Sequence, residues 1–198
     1  MPTVKISKAK GLVQSKGGNP VLDIQGAWTV SSSDAAGQGA GTGFESNVQR
    51  ISECNGHVVT DVLFDIAGAT SVATDLDIIG LATGGQAWVT RVTNATTGLI
   101  YRVDMICAEV PAGGTLDVDL YSADEATGAY NDIVTGLTNQ IAIVTSGGVW
   151  AAQVSASQVT GANCPDADQY LYITAGEAAN AGLYTAGKFV VRLFGVRV

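Results

Sequence analysis

The sequence predicts an all-β protein: an antiparallel, jelly-roll-like β-sandwich with an extended N-terminal arm. Three observations carry this. Short runs alternate apolar and polar residues with period two. Glycine-rich turn signals separate them at spacings of roughly 8–12 residues. No run holds a helical period beyond a single turn.

The alternation is clearest in three runs. In residues 57–66, Val58, Thr60, Val62, Phe64 and Ile66 share one face, and His57, Asp61 and Asp65 lie on the other. In 99–108, Leu99, Tyr101, Val103, Met105 and Cys107 share a face opposite Arg102 and Asp104. In 115–121, Val118 and Leu120 oppose Asp117, Asp119 and Tyr121. Side chains on a strand point alternately to its two faces, so a half-buried antiparallel strand writes this pattern. Further strands are expected at 77–81, 86–94, 140–145, 148–154, 169–174 and 187–198. The last is apolar on both faces, as a central strand is. Turn signals bound these runs at Ala67-Gly68, Thr97-Gly98, Pro111-Ala-Gly-Gly114, Ser146-Gly-Gly148 and Ala186-Gly187.

The domain division follows from composition. Residues 1–43 read as peripheral. They comprise a basic arm closed by the breaker cluster Lys16-Gly-Gly-Asn-Pro20, one extended stretch over 21–30, and a Gly/Ser/Ala linker ending at Gly43. Residues 44–198 read as the sandwich domain. A body of this size buries about 68–70% of its unfolded surface and needs no disulfide or metal to fold.

Charge is divided along the chain. Lys5, Lys8, Lys10 and Lys16 fall in the first sixteen residues with no acid among them. The whole chain has 10 Lys+Arg and 18 Asp+Glu, so the remainder carries 10 − 4 = 6 basic residues and a balance of 6 − 18 = −12. Such a body repels a phosphate backbone, and four lysines are too few to make nucleic acid the expected partner. An acidic protein surface suits the arm better, because opposite potentials steer association. No apolar segment follows the first charges as a signal peptide requires, and no apolar run approaches the roughly 20 residues of a membrane span. Cys54, Cys107 and Cys164 are odd in number and scattered. Free thiols are expected, with a Cys54–Cys164 bridge as the alternative.

Candidate chemistry is sparse, and no enzyme or cofactor is expected. His57 with Cys54 and Asp61 has the residue types of a nucleophile pair, but it sits across an Asn55-Gly56 turn on a polar face, where a surface histidine is the simpler reading. Asp117, Asp119, Asp124, Glu125 and Asp132 form the best acidic cluster, with Asp117, Asp119 and Asp124 as the one Ca²⁺ candidate. Their order matches no EF-hand loop, and a solvated acidic face is the competing reading. Trp28, Trp88 and Trp150 fall in apolar segments, which suits core or interface packing better than a sugar-binding groove. Two segments echo each other: Tyr121-Ser-Ala-Asp-Glu-Ala-Thr-Gly-Ala-Tyr130, and the stretch from Tyr172 through Ala-Gly-Glu-Ala-Ala to Tyr184. As equivalent corner loops they would present Tyr121, Tyr130, Tyr172 and Tyr184 to a host glycan, the alternative reading of a tail-fibre or spike head.

The runs Asp75-Leu-Asp-Ile-Ile-Gly80, Cys107-Ala-Glu-Val-Pro-Ala-Gly-Gly114, Asp117-Val-Asp-Leu-Tyr-Ser-Ala-Asp-Glu-Ala-Thr-Gly128, Tyr170-Leu-Tyr172 and Tyr184-Thr-Ala-Gly-Lys-Phe189 resemble a family of small structural proteins of marine tailed bacteriophages. The likeness spans roughly residues 42–196. It implies a virion protein made in the host cytoplasm and placed on the capsid surface, with a decoration or cement role. The implied partners are the major capsid protein and further copies of the chain, a trimer being favoured. Lys5, Lys8, Lys10 and Lys16 would contact the shell, and Val21, Ile24 and Trp28 would lie on a strand added to a neighbour's sheet.

Overall fold

The structure is a computed structural model that describes residues 3–7, 11–15, 29–32, 48–83, 85–158, 163–177 and 179–197. In chain order the first strands are β1 (Thr3–Ser7), β2 (Gly11–Ser15), β3 (Thr29–Ser32), β4 (Val48–Cys54), β5 (His57–Asp65), β6 (Thr70–Ser71) and β7 (Thr90–Arg91). A one-turn helix α1 (Asn94–Thr97) precedes the long β8 (Leu99–Ala112). Then come β9 (Val118–Ala123), β10 (Ile141–Val144), β11 (Ser155–Gln158), β12 (Tyr170–Ala175), β13 (Gly182–Leu183) and β14 (Ala186–Val196).

These strands form an all-β antiparallel sandwich. The larger sheet has the order β11-β8-β14-β5-β4-β3 and the smaller β10-β9-β12-β7, with β1-β2 and β13-β6 as separate two-stranded pairs. The Asn55-Gly56 pair fixes one register. Both residues take positive φ, 50° and 79°, which is the type I′ geometry that matches strand twist, and Cys54 pairs with His57 across the turn. The C-terminal strand is central, as its two apolar faces predict: β14 pairs with β5 on one side and β8 on the other. Within the expected arm, β1 and β2 pair as a hairpin, Thr3 opposite Ser15. The extended stretch expected at 21–30 is described only from Thr29, where β3 pairs with β4.

The main core lies between the sheets. Val62, Phe64, Val103, Met105, Cys107, Phe189 and Val191 from the larger sheet meet Val118, Leu120, Ile143, Leu171 and Ile173 from the smaller. Phe64 stacks on Phe189 at 5.6 Å, and Trp150 meets Phe189 edge-on. Burying a side chain of this size contributes about 1.5–3 kcal/mol.

Three expectations are corrected. First, residues 77–81 form isolated bridges rather than a strand, and 148–154 form none; Trp150 there is buried, donating its indole N–H to Val118 O at 2.7 Å. Second, Leu99 and Tyr101 do not face the core with Val103. Phe194 pairs with Arg102 and Gly195 with Ile100, so Tyr101 is an extra residue that turns the strand start over, leaving Leu99 and Tyr101 exposed and Ile100 buried. Third, the smaller sheet is covered on both faces. Ile78, Ala87, Trp88 and Val134 from long loops lie over Tyr121, Ala123 and Tyr172, forming a second apolar cluster.

All three cysteines are free: Cys54 is exposed, and Cys107 and Cys164 are buried. Among the described residues no helix is long and apolar enough to cross a membrane.

Candidate functional site

Alternation on a strand places Asp117, Asp119 and Tyr121 on one face at the start of β9. The antiparallel pairing with β12 sets Asp119 opposite Thr174 and brings Gly176 beside Asp117, where Gly176 N–H donates to Asp117 O at 2.9 Å. These constraints build a pocket of about 370 Å³ with Asp117 and Asp119 inside, Asp75 and Glu177 exposed, and Leu76 and Tyr121 as apolar walls.

Ser146 ties the two buried carboxylates together. Its backbone N–H donates to Asp119 Oδ1 at 2.9 Å, and its hydroxyl donates to Asp117 Oδ1. Asp117 is 3% exposed, and its Oδ2 has no hydrogen-bond partner. A buried carboxylate oxygen left unpaired is costly, so the unpaired atom marks a place where a donor belongs. Gly176 is needed for this approach, because a Cβ there would lie 2.6 Å from the Asp117 carboxyl carbon. Burial above all, and then the neighbouring charges of Asp117, Glu177 and Asp75, push Asp119 up to about 6 against the opposing Ser146 N–H. The pocket is therefore an anionic cleft with two buried and two exposed carboxylates.

Asp124 does not join Asp117 and Asp119. It sits on the exposed side of β9's far end, where Gln169 Nε2 donates to its Oδ1 at 3.0 Å and Asn139 Nδ2 donates to its Oδ2 at 2.6 Å. Those bonds hold its carboxyl below the usual range. Among the described residues no three carboxylate, histidine or cysteine side chains are grouped to hold a metal, so the Ca²⁺ set Asp117, Asp119, Asp124 is not assembled.

The tyrosine platform is not formed either. Tyr172 and Tyr184 are fully buried, Tyr121 is 7% exposed, and only Tyr130 is half-buried. The loops over the smaller sheet bury Tyr172, whose hydroxyl donates to Glu125 O at 2.6 Å. Tyr184 donates to Thr115 O at 2.8 Å, and burial pushes its hydroxyl up to about 12. These rings are structural pillars.

Of the expected shell-contact residues, Lys5 lies on β1, whereas Lys8, Lys10, Lys16, Val21, Ile24 and Trp28 lie outside the described residues. His57 and Cys54 are both exposed beside their turn. Sequence reasoning did not single out Ser146, Glu177 or Asp75 for this site. The β9–β10 pairing brings Ser146 to Asp117, and the β9–β12 pairing brings Glu177 and, through the Leu76 N–H to Ala175 O bond, Asp75.

No family model, curated protein or solved structure matches this chain.

Proposed function

We propose that this protein is a non-enzymatic structural component of a phage particle, a jelly-roll-like decoration or cement protein bound to the outside of the head shell. The observation that carries the reading is the charge division: four lysines and no acid in residues 1–16, against a balance of −12 beyond them. A basic strap on an acidic body docks on acidic patches of a protein shell and keeps the body away from nucleic acid. The body supports the reading through its build. A sandwich with its smaller sheet covered on both faces is a rigid block suited to repeated placement on a lattice. The major capsid protein is the partner in this reading, and the copies associate with one another, a trimer being favoured.

The test is co-sedimentation with heads stripped of the protein. The full chain sediments with the heads, and a chain lacking residues 1–20 does not, while still melting cooperatively. Undiminished binding by the shortened, folded chain would contradict the proposal.

A further inference from the structure

The anionic cleft on β9 is built more specifically than a solvated acidic face. A surface face has no need of a carboxylate that is 3% exposed with an unpaired oxygen. Nor does it need a glycine shaped around that carboxylate.

The chemistry of the occupant follows from the walls. A volume of about 370 Å³ exceeds what a bare ion fills. Leu76 and the Tyr121 ring offer an apolar lining for a hydrocarbon stem, and the carboxylates receive a cationic head. Ser146 already engages one oxygen of each buried carboxylate, so neither presents the free pair that a guanidinium fork grips. An ammonium has three rotatable donors and can bond single oxygens on separate carboxylates.

We propose that this cleft is a binding site for a primary ammonium on an alkyl stem, the lysine side chain, and that residues 1–16 of a second copy supply it. The charge pattern supports that source, because those residues hold four lysines and no acid. The inference stands on the cleft and does not depend on the particle reading. Asp119 must be ionised for full binding. The groups that face it are Asp117, Glu177 and Asp75 as like charges and the Ser146 N–H as a donor, so binding declines as the pH falls through about 6.

The receiver is the full chain carrying K5Q, K8Q, K10Q and K16Q, which cannot load its own cleft, observed by amide chemical shifts. The probes are n-butylammonium, n-butanol, a peptide of residues 1–16, and that peptide with its four lysines replaced by glutamine. The expected result is saturable shifts at Ser146, Gly176 and Glu177 with n-butylammonium and the lysine peptide alone. Asp119→Asn, and separately Asp75→Asn with Glu177→Gln at the exposed positions, weaken binding roughly tenfold or more. The mouth variants touch no buried group, so they remain informative if a floor variant misfolds. Shifts with n-butylammonium but none with the lysine peptide would overturn the second-copy source. No shift with either, equal shifts with n-butanol, or saturation by CaCl₂ in place of the ammonium would overturn the site.

Discussion

Arg192 grips Asp61 with both arms of its guanidinium, Nε to Oδ1 at 2.6 Å and Nη2 to Oδ2 at 2.9 Å, across the central pair β14–β5. Arg192 also stands opposite Asp104 on β8, and Asp104 is held in the same bidentate way by Arg102. Asp61, Arg192 and Asp104 therefore form one cross-strand row of alternating charge, and Arg102, two residues along β8, closes on Asp104. Asp61 and Asp104 are nearly buried while the arginines stay partly open.

Removing Arg192 takes both guanidinium bonds away from the nearly buried Asp61 carboxylate. Arg192→Met is expected to destabilise by about 2 kcal/mol, less than a fully buried pair because the arginine is part-exposed. Adding Asp61→Val to it recovers most of the loss. Urea denaturation of the two variants measures both.

The Asp119 carboxyl makes stability depend on pH with a defined sign. Its folded value, about 6, lies above the ordinary 3.8, so between those values the folded chain holds the proton more tightly than the unfolded chain. The contribution is most favourable below about pH 4, falls as the pH rises through 6, and is level above. Asp119→Asn keeps the acceptor for the Ser146 N–H and removes the charge. It is expected to stabilise the chain by about 2 kcal/mol at pH 8 and to leave it nearly unchanged at pH 4. Thermal melts across that range check it.

Gln169 is a buried hub. Its Oε1 accepts from the Ser122 hydroxyl at 2.7 Å and from Asp166 N–H at 3.0 Å, and its Nε2 donates to Asp124 and to Asn139 O. Gln169→Leu leaves Ser122 buried without a partner and is expected to cost about 2–3 kcal/mol. Ser122→Ala in the same background restores part of it, as denaturation of the double variant would show.

Tyr184→Phe removes the hydroxyl that serves Thr115 O and is expected to cost about 1–2 kcal/mol of stability. It changes no surface property. Binding of the variant to a glycan array is expected to equal that of the parent chain, because the ring is 1% exposed.

What the sequence makes legible is whatever one strand writes on itself. Val58 to Phe64 alternates because β5 has one face on the core, and the two-sided apolarity of residues 187–196 marks β14 as central. What it hides is what distant segments do to each other. Tyr121 and Tyr172 read as loop-end residues until the 76–88 and 126–137 segments cover the second face of their sheet. The bulge at Tyr101 lies opposite Gly195 of β14, where a Cβ would lie 1.9 Å from Thr97 O. The cleft was half visible: the alternation puts Asp117 and Asp119 together, but Asp124 looks equally close in sequence. Only the Gln169 and Asn139 bonds show where it goes.

The most direct test of the particle reading is the copy number of this chain in purified virions, measured by quantitative mass spectrometry against the major capsid protein. The account predicts a ratio near that of the shell subunits themselves, as expected of a protein spread over the whole head. A chain absent from the particle, or present only at the level of a tail or vertex component, would contradict it.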